Sequence, residues 1–139
     1  MNSRPQPLET TDPEQYLPME TKDAERYLPL APRDLLILAV LGEGPLHGYG
    51  IIKAVEERSR SGVLLDPANL YRVLRRMRKV GWIREDVSAE TRPQGGEGDP
   101  RRKTYRITAM GRSILSAEVA RLERLLSITR PALADGDGG

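Results

Sequence analysis

Seven side chains able to grip a polyanion fall within eleven residues, and six of them are candidate contacts: Asn69, Tyr71, Arg72, Arg75, Arg76 and Lys79. An arginine offers two parallel donors that match the acceptor edge of guanine, and an asparagine offers the donor–acceptor pair that matches adenine. Arginine, lysine and tyrosine also bind phosphate oxygens, which positions a protein on a duplex without reading its sequence. On this chemistry Asn69 and Arg72 are the candidates for base edges. Tyr71, Arg75, Arg76 and Lys79 are the candidates for phosphates, with Arg76 nearest the apolar side. A second basic group, Arg101, Arg102 and Lys103, suits the backbone or a flanking minor groove. The bland alternative is a solvated face, because Arg and Lys are good helix formers.

The first group needs a helix, and the spacing predicts one from Asp66 to Gly81. Asp66 is a suitable N-cap, Pro67 suits the first helical position and Gly81 suits the stop. Leu70, Val73, Leu74 and Met77 recur at three-and-four spacing and form one apolar face. At roughly 100° per residue the opposite face carries Ala68, Arg72, Arg75 and Lys79. Ahead of it, Pro32-Arg33-Asp34 opens a helix whose body, Leu35 to Leu41, is apolar on nearly every side and is ended by Gly42 and Gly44-Pro45. Such a helix belongs at the centre of a core, in a subunit interface, or both. Ile51, Ile52 and Val55 mark a second amphipathic helix ending near Ser59. The glycines at its start, Gly48 and Gly50, would admit a close backbone neighbour. His47 reads as a residue at the start of that helix, bonded locally or lying near phosphate. Val63-Leu64-Leu65 suits a three-residue strand.

After Gly81 the period changes. Trp82 to Val87 alternates loosely as an edge strand would, and Arg101 to Thr108 alternates again, with a glycine-rich polar tip over residues 93–100 between them. The expected fold is mainly α with a small β-hairpin wing, a winged helix-turn-helix. Thr108 caps a last helix, 109–130, ended by Pro131. Its Leu115, Val119, Leu122 and Leu126 form a short heptad-like seam suited to burial against a second copy. Folding back over its own domain is the alternative. Residues 131–139 read as a disordered tail.

Composition narrows the classes. There is no cysteine and one histidine, so neither disulfides nor a thiolate or histidine metal centre is expected, and no cofactor is called for. The longest apolar run falls far short of the roughly 20 residues a membrane helix requires. No signal peptide pattern opens the chain, and a soluble cytoplasmic protein is expected. No metal-ligand cluster, phosphate-cradling loop or Ser-His-Asp set appears, which argues against an enzyme. Residues 1–31 hold three basic residues against six acidic, whereas residues 69–106 hold eleven against five. That asymmetry points to a polyanionic partner.

Residues 1–31 read as an acidic, proline-interrupted arm. Glu14-Gln15-Tyr16-Leu17-Pro18-Met19 is echoed by Glu25-Arg26-Tyr27-Leu28-Pro29-Leu30. The second copy abuts the domain, residues 32–108, and is expected to pack on it. The first copy either docks on a partner subunit or is a local duplication without consequence.

Several ordered motifs resemble the PadR family of transcriptional regulators. They are Leu38-Ala39-Val40-Leu41, Gly44-Pro45-Leu46-His47-Gly48-Tyr49, Asn69-Leu70-Tyr71-Arg72-Val73-Leu74 with Arg76-Met77, and Gly81-Trp82-Ile83. Arg101 to Thr108 with Gly111 is similar to the family's second wing strand and helix start. The resemblance covers residues 28 to about 126. It implies a dimeric winged-helix repressor, often of a neighbouring operon and often released by a small effector. Asn69 stands where the family often has Thr or Ser, the wing tip looks longer, and a single C-terminal helix resembles the short class. With Trp82 as the only tryptophan, a drug-stacking pore between tryptophans is not expected. The expected partners are double-stranded DNA, a second copy of the chain and a small-molecule effector. The alternative is a winged-helix protein-interaction module without sequence-specific DNA binding.

Overall fold

The computed structural model describes residues 20–86 and 103–138. In chain order the elements are α1 (Thr21–Ala24), a 3-10 turn (Glu25–Tyr27), α2 (Pro32–Gly42), β1 (Leu46–His47), α3 (Gly48–Arg58), α4 (Pro67–Lys79), β2 (Ile83–Asp86), β3 (Thr104–Ile107) and α5 (Ala109–Gly138). The greasy α2 lies at the centre, packed on α3, α5 and β3. Its Ile37, Leu38, Val40 and Leu41 are buried on two sides, and Ile51 and Val55 of α3 meet them. All four apolar residues of the α4 face, Leu70, Val73, Leu74 and Met77, are buried. Each side chain of this size contributes roughly 2 kcal/mol when taken out of water.

The sheet has three antiparallel strands in the order β1-β3-β2. Ile83 pairs with Ile107 and Glu85 with Tyr105, while Leu46 pairs with Tyr105 on the other edge. The extra strand is therefore Leu46–His47, and Val63-Leu64-Leu65 is not a strand. The chain leaves α3 through two left-handed residues, Arg60 and Ser61 (φ 53° and 64°), with the Ser61 amide bonded to the Glu56 carbonyl. The Ser59 hydroxyl then accepts from the Val63 amide at 3.0 Å, which holds the segment as a turn. Leu65 plugs the core while Leu64 faces solvent. Val87 and the glycine-rich tip lie outside the described residues.

Thr108 ties the domain to α5. Its hydroxyl lies 2.6 Å from the Gly81 carbonyl and accepts from the Gly111 amide at 3.1 Å, capping the helix. A Cβ on Gly111 would stand 2.2 Å from the Trp82 carbonyl oxygen, so only glycine fits where α5 crosses that backbone. The close backbone approach expected at Gly48 occurs here instead; Gly48 faces the Tyr71 side chain. The expected end of α5 at Arg130 is also corrected, because the helix continues through Pro131 to Gly138. Ala132, Leu133 and Ala134 are strong helix formers, but Pro131 and the glycines that follow disfavour helix, so local propensity does not account for the continuation.

The second copy of the echo packs on the domain. Ala24 is fully buried, Leu28 and Leu30 lie on the core, and Tyr27 meets Trp82 edge-on with ring centroids 5.6 Å apart. The Leu30 amide donates to the buried Glu118 carboxylate of α5 at 2.9 Å. Arg121, with bonds of 2.6 and 3.0 Å to that carboxylate, holds it below the ordinary glutamate range, and the Leu30 amide adds to this.

Candidate nucleic-acid interface

The leading turn of α4 is built by local bonding. The Asp66 carboxylate accepts from the Asn69 amide and from the Asn69 side chain, both at 2.9 Å. The Asn69 side-chain oxygen in turn accepts from the Arg72 guanidinium. The two candidate base readers thus form one relay anchored on the N-cap, which limits the rotamers each must give up on binding. Nothing but the spacing of positions 66, 69 and 72 signals this relay in the sequence.

Behind them the cations divide. Arg72, Arg75 and Lys79 are exposed, and among the described residues Arg75 and Lys79 carry no ion pair. Arg76 instead binds the Asp34 carboxylate of α2 at 2.8 Å, a group that also takes Arg33. Arg78 binds Glu85 on β2, and Lys103 reaches the same Glu85 oxygen at 3.4 Å. Tyr71 is half-buried, its ring lying over Gly48 and its hydroxyl out of solvent. His47 is the exposed N-cap of α3 and makes no side-chain capping bond. Arg101 and Arg102 lie outside the described residues.

Sequence reasoning missed Glu85 and Tyr105, which line a cleft of about 260 Å³ between α4 and the hairpin. Burial, reinforced by the Glu85 charge, pushes the Tyr105 phenol up to about 12, so it keeps its proton and can donate. Their register, Glu85 opposite Tyr105, follows from strand pairing and has no local signal.

The seam residues of α5 also divide. Leu115 is half-buried against the core of its own domain and Leu122 is half-buried, whereas Val119 and Leu126 are 43% and 46% exposed. Leu125, Ile128 and Leu133 extend that exposed apolar surface outward. Among the described residues no group of three or more His, Cys, Asp or Glu could hold a metal ion, and no helix is long and apolar enough to cross a membrane.

Helices α2, α3 and α4 with the hairpin behind them define a winged helix-turn-helix protein. Residues 37–117 match the transcriptional regulator PadR-like family, and the chain belongs to that family. A PadR family transcription regulator from hypervirulent Clostridium difficile superposes with a TM-score of 0.58 at 26% identity, over 74% of this chain and 99% of that one. A transcriptional regulator from Clostridium thermocellum shares the fold, with a TM-score of 0.57 at 24% identity over 81% of this chain and 96% of that one. An uncharacterised 37.1 kDa protein in a transposon of Streptomyces fradiae is 34% identical over 91 residues, 66% of this chain. The chain spans 23% of that relative's length.

Proposed function

We propose that this protein is a sequence-specific DNA-binding regulator, a repressor that acts in the cytoplasm as a homodimer on a roughly palindromic operator and is released by a small effector. The outward row of α4 is the observation that carries this reading. Asn69 and Arg72 stand pre-ordered at the leading turn, with Arg75 and Lys79 exposed behind them. Two such helices related by a dimer axis would enter successive major grooves about one helical turn apart. Asn69 and Arg72 then meet base edges, while Arg75 and Lys79 hold phosphates. Arg101 and Arg102 are assigned to the backbone beside the wing. The exposed Val119 and Leu126 on α5 favour a second copy as the cover for that helix.

The test is binding to the DNA upstream of the protein's own gene, measured against random duplex and against salt. A symmetric footprint with a preference of about a thousandfold or more over random duplex is the expected result. Equal, weak and steeply salt-dependent binding to both DNAs would overturn sequence specificity. No binding to either would favour a protein-interaction module.

A further inference from the structure

The cleft between α4 and the hairpin gathers three cations beside two tyrosine rings and the apolar Leu74. Arg75 and Arg78 come from α4, Lys103 precedes β3, and the Tyr71 and Tyr105 rings form the walls. One acceptor group sits among them, the Glu85 carboxylate, and its Oε2 takes both Arg78 and Lys103. A carboxylate oxygen shared by a guanidinium and an ammonium does there what a phosphate oxygen would do. The cleft also lies between the two elements assigned to DNA. With α4 in a major groove and the hairpin beside it, one strand of the duplex must cross the junction between them.

We propose that this cleft is the seat of one DNA backbone phosphate, and that Glu85 occupies the seat in the free protein as an internal substitute. The inference rests on the DNA-binding reading above. Phosphate and Glu85 carry the same sign and compete for the same two cations, so the carboxylate must swing out before the phosphate enters. Glu85 therefore weakens DNA binding in general and carries no sequence information. Arg78, absent from the candidate set read from sequence, becomes a phosphate ligand once it is released. Asp86, the next residue, gives an internal control. It also neutralises cations, binding Arg106 at 3.0 Å, but it does not line the cleft.

The experiment measures affinity of the full chain for a random 20-base-pair duplex across a salt series, for the wild type, Glu85→Gln and Asp86→Asn. Thermal melting of each protein confirms that all three are folded. Glu85→Gln is expected to tighten binding about fivefold at low salt and to leave the log-affinity against log-salt slope close to that of the wild type, because the same phosphate fills the seat in both complexes. Asp86→Asn is expected to gain markedly less. Adding Arg78→Gln to Glu85→Gln should abolish most of the gain. Equal gains for Glu85→Gln and Asp86→Asn would reduce the effect to net charge and overturn the seat. Unchanged or weaker binding by Glu85→Gln, with the wild type binding normally, would also overturn it and leave the DNA-binding reading intact. Absence of DNA binding by every protein, wild type included, would remove both.

Discussion

The cations of α4 fall into two sets that meet opposite fates, one paired on the two flanks of the helix and one open between them. Arg76 and Arg78 are 47% and 43% exposed at the side chain, so accessibility alone would rank them as ready ligands. Both are nevertheless engaged, Arg76 by Asp34 across the core edge and Arg78 by Glu85 on the hairpin. Arg75 and Lys79 face the same solvent with no ion pair among the described residues. The difference teaches that a basic helix offers a partner at once only the cations its own fold has not neutralised, and a paired one such as Arg78 only after its carboxylate lets go. In the free protein the paired cations fasten α4 to α2 on one flank and to the wing on the other, and the open ones between them are the first to meet an outside anion.

Gly111→Ala should break both sets together. The added methyl would strike the Trp82 carbonyl, which follows the end of α4, and the chain there has no slack. Overpacking of this kind is expected to cost about 3 kcal/mol in chemical denaturation, and DNA binding should fall with the fraction folded. Next in size is Arg72→Ala. It should remove about 2 kcal/mol of discrimination between operator and random duplex while leaving random binding nearly unchanged. Equal losses on both DNAs would move Arg72 into the phosphate-holding set. Arg76→Ala tests the paired set. Asp34 keeps only Arg33, at 3.4 Å, so stability should drop by about 1 kcal/mol with DNA affinity unaltered.

Lys79→Ala should do the reverse. Stability stays level, affinity for every duplex falls about threefold, and the salt slope flattens by about 0.9. The last effect is read on acidification, at a pair outside α4. Arg121 and the Leu30 amide lower the Glu118 carboxyl in the folded state. The unfolded chain therefore takes up the proton first as the pH falls. The stabilisation is full above the ordinary glutamate range and is lost on going below it. Glu118→Gln should flatten the acid side of a stability–pH profile compared with the wild type.

Helices α2, α3 and α4 were readable because their signals are local, whereas the short α1 inside the proline-interrupted arm was not. Asp66, Pro67 and the Leu70–Met77 face announce α4 within one stretch, and the structure buries that face. Thr108 was legible as a cap for the same reason. The pairing of the cations was not legible, since Asp34 stands 42 positions from Arg76 and only the packing of α2 brings it near. A two-residue strand such as Leu46–His47 is too short to show a period, and it was recognised only by its partner β3. Val63-Leu64-Leu65 misled because apolar, β-branched runs suit a strand, while the two left-handed residues before it decided the path. Pro131 misled in the other direction, since the helix runs on through it to Gly138 where a proline ordinarily marks the stop.

The crossing at Gly111 has a mechanical consequence. Helix α5 is pinned there against the Trp82 backbone, and the Leu30–Glu118 bond grips it about 10 Å further along, at 1.5 Å per residue. The helix from this fulcrum to Ala134 is roughly 35 Å long, a lever with an arm ratio of about three to one. A tilt of about 5° would displace the grip by about 1 Å and the far end by about 3 Å. Small adjustments where the N-terminal strap meets α5 are thus magnified at the exposed apolar end. Forces applied at that end return to the strap and the wing base with mechanical advantage.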